Sequence, residues 1–442
     1  MLDKTYYPMY LYQKDFLADA EKAGNKPFVL VLERGEGEYE RYETYLYADS
    51  KYNAENLVYA KKLVKTMIWA YGGYKFYLYG GEGVIEGLKA IYSKNGERAF
   101  DYNFMNDVYL RPMEFVAVQY EDLPVAQTKA LPSTANASGY RIGFDAGGSD
   151  RKVTACIDGK VVYEKETVWF PKLNSDPSYH LDGILDSIDN ALDALGGKVE
   201  AIGVSTAGIV VDNEVRVSSL FRKVSKTEQI EKVRPIYKNL AQKYNCPVKV
   251  ANDGDVAALA GALTDGSGKV LGIAMGTSLA AGYVDSEMRI RGCLNELAFV
   301  PVDACDTSAI DEWSGDGGVG VMYHSQDAVI KLAPQAGIEI DESLSPAEKL
   351  KVVQALANEG DARAIGLYER MGDYFGYTLL WFGCFYEIDK AIFLGRVASG
   401  KGGDVLLERA RQIIKREGSS LEIVLPDEMQ RRLGQSFTAA SL

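Results

Sequence analysis

Three short stretches of this sequence combine polar side chains with turns in a way that could do chemistry. The first, "VKVANDGDVAALAGAL" (Val248–Leu263), delivers Asn252, Asp253 and Asp255 from an apolar, strand-like run onto the start of an Ala-rich helix. A carboxylate at such a junction meets helix N–H groups and the positive end of the helix dipole, which favour its ionised form around an ordinary pKa of about 4. Ionised there, Asp253 can take a proton from a hydroxyl. The simpler use of either aspartate is to cap the helix or to sit in its first turn, and for Asp255 that reading is preferred.

The other two stretches are glycine turns after apolar strands. "RIGFDAGGSDRK" places Asp145 ahead of Gly147, Gly148, Ser149 and Lys152, and "LGIAMGTSLAAGYV" supplies Gly276, Thr277 and Ser278. Glycines let the backbone approach an anion closely, and N–H groups with Ser or Thr hydroxyls are its donors. Asp145 beside such a loop could hold Mg²⁺, directly or through water. Taken singly, each loop reads as a hairpin turn, and Lys152 reads equally as a solvated charge.

Other chemistries lack residues. With only two histidines, His180 and His324, neither a His-rich metal site nor a His-based triad has a supply. Both read as ordinary surface or satisfied polar residues. The five cysteines are scattered without a CxxC pair, which suggests reduced thiols in a cytoplasmic protein. Cys305 reads as a buried thiol. A net charge of −13 argues against nucleic acid and anionic membranes as partners. "DGSGKV" and "ASGKGGDV" lack the Ser or Thr of a Walker A loop. Glu82 and Glu86 would repel a pyrophosphate at the "YLYGGEGVIEG" turn. No secretory leader is visible, and "YTLLWFGCFY" is too short to span a bilayer and reads as a buried helix.

These residues need a scaffold. Residues 1–122 have the period of a small α/β domain: a hairpin over Phe28–Tyr47, a helix from Asn53 with Asn53 as its cap, a strand at Tyr74–Tyr79, a helix from Gly83 and a strand at Met113–Tyr120. "LPVAQTKALPSTANASG" (123–139) reads as a linker. From Tyr140 strands alternate with helices, including a continuous helix through "TEQIEKVRPIYKNLAQKY", which argues for an α/β architecture with ligand loops at strand ends.

The collinear set of motifs from Tyr140 onward resembles the ROK group of sugar kinases in the actin-like ATPase superfamily. "GFDAGGSDRKVTACIDGKVV" and "GIAMGTSLAAGYV" resemble its two phosphate loops, and "VANDGDVAALAGAL" its Asn-Asp segment. "IGVSTAGIVVDNEV" resembles the sugar-side segment, with Ala207-Gly208 where a Pro-Gly is usual, and "GCLNELAFVPVD" resembles the Glu-containing sugar segment. "ALANEGDARAIGLYERMGDYFGYTLLWF" and "AIFLGRVASGKGGD" resemble the late helices and the adenosine-side turn.

The resemblance implies two actin-like (ribonuclease H-like) lobes, 140–252 and 253–442, closing on a central cleft. The extra N-terminal α/β domain precedes them, and the last helix is expected to pack back on the first lobe. It implies ATP and Mg²⁺ as cofactors and a hexose-like sugar or sugar derivative as substrate. Asp253 would be the general base, and Asn252, Glu296 and one of Asp311 or Glu312 would bind sugar. Gly147, Gly148, Ser149, Lys152, Gly276, Thr277 and Ser278 would bind phosphate, Asp145 the metal, and Gly395 with Arg396 the adenosine side.

Two departures stand out. The family's zinc-bound His is Phe299 here and only Cys305 remains of its Cys cluster, so no zinc is expected and something else, with Trp313 a candidate, must brace the sugar loop. Gly395-Arg396 replaces a Gly pair. The rival expectation is a non-catalytic sugar or nucleotide sensor of the same fold. A repressor is disfavoured, because the first domain offers no DNA-reading helix. Which sugar is used, and whether the chain forms a homodimer, stay open.

Overall fold

The run "FVLVL" at Phe28–Leu32 has no polar alternation, and it forms a strand buried on both faces. In the computed structural model this strand, β1 (Asn25–Gly35), pairs antiparallel with β2 (Glu38–Tyr47) and β3 (Lys75–Tyr79), and β3 pairs parallel with β4 (Glu114–Ala117). The order is β2-β1-β3-β4. Helices α1 (Met9–Ala23), α2 (Asn53–Ala70), α3 (Ile85–Ile91) and α4 (Ala99–Tyr109) accompany the sheet. From Leu63 to Ala70 every residue of α2 is buried, as expected of a helix wrapped on all sides. Asn53 is already helical and not the cap. Periodicity did not announce α1 or α4. The structure describes residues 5–128, 138–425 and 434–442, so most of the expected linker 123–139 lies outside the described residues.

The chain forms two compact units, neither continuous in sequence. Unit 1 comprises Met1–Lys129, Ile273–Ala281 and Cys293–Val424, and unit 2 comprises Ala130–Gly272, Gly282–Gly292 and Leu425–Leu442.

Unit 2 is built on a five-stranded sheet. Strands β5 (Tyr140–Ala146), β6 (Asp150–Ile157) and β7 (Lys160–Val168) form an antiparallel meander. Strands β8 (Ala201–Thr206) and β11 (Val248–Asn252) extend it in parallel, in the order β11-β8-β5-β6-β7, while β9 (Ile209–Val211) and β10 (Glu214–Val217) form a separate hairpin. This is the layout expected of an actin-like lobe. Helix α5 (Pro177–Ala194) buries Ile184, Ile188 and Ala191 in a core with Ile142, Phe144, Ile202 and Val204.

The helix expected through residues 227–244 is broken into a turn α6 (Lys226–Glu228), a π-turn over Gln229–Val233 and α7 (Leu240–Tyr244). Pro235 explains the break, since it donates no N–H and clashes with the preceding turn. Helix α8 (Asp253–Asp265) follows β11 directly.

Unit 1 also holds most of a second sheet, ordered β13-β12-β14-β15, from β12 (Val270–Met275), β13 (Leu279–Val284), β14 (Lys390–Leu394) and β15 (Glu422–Val424). Helices α9 (Gln326–Leu332), α10 (Pro346–Glu359), α11 (Ala362–Phe382) and α12 (Gly400–Arg416) belong to it. The "YTLLWFGCFY" run falls mainly in α11 and is buried there. The last helix, α13 (Gln435–Ala439), lies on the sheet of unit 2. A Cβ at Gly143 would come within 1.8 Å of the Ser436 carbonyl oxygen, so only glycine allows that approach.

Candidate functional site

The C-terminal ends of β5, β8 and β11 form one edge of the unit 2 sheet, where ligand loops of α/β sheets gather. Strand register sets the spacing: Asp145 lies opposite Ser205 on β8, and Asn252 opposite Thr206. Asp145 and Asp253 therefore leave the same edge about two strand spacings apart, ~10 Å.

The junction at Asn252 divides its labour. Asn252 is the helix cap: its side-chain oxygen accepts from the Gly254 N–H at 2.7 Å, and its amide donates to the Gly208 carbonyl at 2.9 Å. Asp253 is the first helical residue, with Oδ1 3.0 Å from the Gly254 N–H. Asp255 is buried and accepts from the Tyr283 N–H at 3.0 Å. The cap is thus neither aspartate, which leaves the half-buried Asp253 carboxylate at the strand end.

Burial outweighs the helix N-terminus at Asp253. Loss of water raises its pKa above the ordinary value, and the backbone N–H groups of Gly254 and Asp253 and the Lys172 ammonium only partly offset this. Asp145 is pushed up to about 6, first by burial and further by the Asp253 charge, with Ser205 and Lys152 opposing. Ser205 Oγ is buried without a hydrogen bond in proper geometry, although it lies near enough to favour the Asp145 anion.

The turn Gly147–Ser149 joins β5 to β6 and is held by Trp169, whose Nε1 donates to the Gly147 carbonyl at 2.8 Å and whose N–H donates to the Ser149 carbonyl at 3.1 Å. Lys152 sits opposite Asp145 across the strand pair, with Asp150 at 3.6 Å and Glu166 at 3.9 Å. Lys172, which the sequence reading missed, enters from the turn Pro171–Leu173. A Cβ on Gly148 would come within 2.9 Å of its Nζ. No spacing rule joins it to the glycine turn; the link is Trp169, three residues before it and bonded to that turn.

In unit 1, Gly276, Thr277 and Ser278 form an open turn, with the Gly276 carbonyl accepting from the Gln326 N–H at 2.7 Å. Gly395, at φ 101°, packs against Met275, where a Cβ would come within 2.2 Å of the carbonyl oxygen. Gly395 thus lies against the strand that leads into this loop, and Arg396, expected on the adenosine side, is exposed. The segment 294–319 carries the expected sugar ligands. Glu296 is half-buried, Asp311 binds its own turn through Ser314, and Glu312 is exposed.

One minor expectation changes, for Cys305, and of the two readings of the histidines the buried polar one holds. Cys305 is partly exposed, with Sγ 3.2 Å from Thr307 Oγ1. His180 and His324 are both buried: His180 faces the Asp176 and Pro171 carbonyls, while burial lowers His324 to about 3, so it is neutral against Thr378.

Comparison with known proteins settles the family. The ROK family model matches residues 141–417. The chain belongs to the ROK family. Residues ahead of this match form the additional α/β segment. No curated protein matches the sequence.

Among solved structures, the ROK hexokinase from Thermus thermophilus superposes with a TM-score of 0.53 at 19% identity, over 68% of this chain and 97% of that one. A putative sugar kinase from Cytophaga hutchinsonii gives 0.50 at 16% identity, over 68% and 98%. A ROK family transcriptional regulator, a homologue of the E. coli MLC protein, gives 0.53 at 18% identity, over 69% and 79%. The shared fold is therefore the actin-like fold of a family holding both kinases and regulators. Among the described residues no helix is long and apolar enough to cross a membrane.

Proposed function

We propose that this ROK protein is an ATP-dependent kinase of a hexose-like sugar or sugar derivative, with Asp253 as general base. The observation that carries this reading is the pairing of two carboxylates, Asp145 and Asp253, with a glycine turn and Lys172 at one sheet edge. Phosphoryl transfer to a hydroxyl needs positioning, charge neutralisation and a carboxylate to receive the proton. Asp253, freed from capping by Asn252, accepts the sugar hydroxyl proton at its carboxylate oxygen. Lys172 and the N–H groups of Gly148 and Ser149 neutralise phosphate oxygens. Gly276, Thr277 and Ser278 hold the remaining phosphates, and Gly395 with Arg396 flanks the adenosine. Glu296, with Asp311 or Glu312, orients the sugar.

Asp145 fits a divalent cation. Its buried carboxylate carries a raised pKa and lies beside the unbonded Ser205 hydroxyl, so a cation would relieve a charge that burial disfavours. Bound Mg²⁺ would supply charge neutralisation at the phosphates. The family's zinc does not fit: Phe299 has no donor atom, and the Cys305 thiol is engaged with Thr307.

Asp253→Asn tests the reading. It is expected to abolish sugar-dependent ADP release while nucleotide binding persists. Near-normal turnover would refute the base assignment. Sugar binding by the wild type with no ADP release across a broad sugar panel would favour a sensor.

A further inference from the structure

Among the described residues loop 294–319 gathers no group of His, Cys, Asp and Glu that could hold a metal ion, yet its backbone is anchored along its length. The carbonyls at the C-terminal end of α2 lack helical partners, as at any helix end. Here three consecutive loop N–H groups meet them: Leu294 donates to Tyr71 at 3.0 Å, Asn295 to Ala70 at 2.9 Å and Glu296 to Trp69 at 3.0 Å. The backbone of Glu296 is thereby set by the end of an N-terminal helix. Further on, the Met9 N–H donates to Val302 at 3.0 Å, and the Ala304 N–H donates to Tyr7 at 2.7 Å. The buried Asp303 carboxylate accepts from the Tyr7 N–H at 2.9 Å and the Cys305 N–H at 2.8 Å.

Two side-chain clusters complete the attachment. The Phe299 ring packs, tilted, with its centroid 4.5 Å from that of Trp69 and 5.0 Å from that of Trp313, and Trp313 meets Phe100 edge-on at 4.9 Å. Beneath them, Lys65 is 2% exposed and bridges Asp101, at 2.9 Å, to Asp316 of the loop. Arg98 also pairs with Asp316, and Trp69 Nε1 donates to Asp101 at 2.8 Å. Two cations and two anions balance there, so removing one leaves a buried charge without its partner.

We propose that the N-terminal segment serves as an internal brace that takes the place of a metal ion, fixing loop 294–319, with Lys65 as its positioning residue. The consequence for sugar binding rests on the kinase reading; the brace itself does not.

The test uses the full chain. Lys65→Met is expected to speed amide hydrogen exchange across 294–304 and 311–318 by about tenfold or more, with β5, β8 and β11 unchanged. It should raise the sugar KM by a similar factor at constant ATP KM. The double variant Lys65→Met/Asp101→Asn, which neutralises the anion left without its cation and keeps the Arg98–Asp316 pair, should recover part of both effects; a simple packing defect would not be rescued. If Lys65→Met does not fold, Trp313→Ala at the exposed rim of the aromatic cluster should show the same regional pattern on a smaller scale.

Unchanged exchange in the loop, or equal acceleration throughout the chain, would overturn the brace. Stoichiometric zinc in the purified protein would overturn the replacement. A wild type without turnover would sink the kinase reading, while the exchange comparison still decides the brace.

Discussion

The Asp145 carboxylate is held against its own electrostatics, and this can be measured without any substrate. Burial at 8% exposure and the neighbouring Asp253 charge raise it to about 6 from 3.8. The difference, 6 − 3.8 or about 2.2 units, corresponds to a ceiling of about 3 kcal/mol at ~1.4 kcal/mol per unit. For a carboxyl whose folded pKa is raised, the folded state binds more protons between the two values. The penalty is therefore absent below the unfolded pKa and complete above the folded one. Asp145→Asn removes the charge and keeps the shape. In metal- and nucleotide-free buffer it should stabilise unit 2 by about 1–3 kcal/mol near pH 7.5, and by roughly a third of that near pH 4.5. Urea dependence of hydrogen exchange in β5, β8 and β11 at the two pH values reads this directly. A variant less stable than wild type at the higher pH, or a gain independent of pH, would refute the electrostatic reasoning.

Three further outcomes follow from the same site. Because burial raises Asp253 and the base must be ionised, sugar phosphorylation should fall toward acid pH already above the ordinary carboxylate range; a pH–rate profile with its acid limb at or below about 4 would contradict this. Lys172→Met should lower kcat by about 10²–10³ with an unchanged unfolding midpoint, and Lys172→Arg should recover part of it. Asn252→Ala should cost ~1 kcal/mol through the lost cap, whereas Asn252→Ser keeps a capping oxygen without adding charge and loses the amide donor to Gly208. A kcat loss shared by both variants would mark the Gly208 contact as the functional one.

Much of the scaffold was legible because it is local. The hairpin β1–β2 follows from an apolar run and a Tyr-rich run around Gly35 and Gly37, and α2, α5 and α8 from helical period. Elements whose evidence is mixed with chemistry or tertiary packing were missed. Helix α1 buries only Met9, Gln13, Phe16 and Ala20, one of them polar, so its buried stripe does not stand out in the sequence. The motif residues of the site were legible as types, but not their states. Helix caps can be read from sequence only as candidates, and Asn252 took a role for which Asp253 and Asp255 also qualified. The pKa of Asp253 could not be read at all, because burial is a tertiary quantity and it reversed the sign expected from the helix dipole. Lys172 was invisible for the same reason: its connection to Gly148 runs through a fold in the chain at Trp169 and not through spacing.

The substitution of Phe299 also changes what the N-terminal segment must be. A loop that surrenders its metal donors loses directional bonds, and a lone aromatic ring cannot restore them, since ring packing fixes distance better than register. Register here comes from hydrogen bonds at helix-end carbonyls and from the Lys65–Asp316 pair, and each has one partner outside the family match at 141–417. The Phe299 ring is therefore intelligible only together with Trp69 and Lys65, both on α2 one helical turn apart. Placing a His back at 299 would test that dependence. Phe299→His supplies one donor with no Cys cluster to join, so it should bind no zinc and should loosen residues 294–319 by exchange; a variant as rigid as the wild type would show that the ring is dispensable and that the hydrogen bonds alone hold the loop.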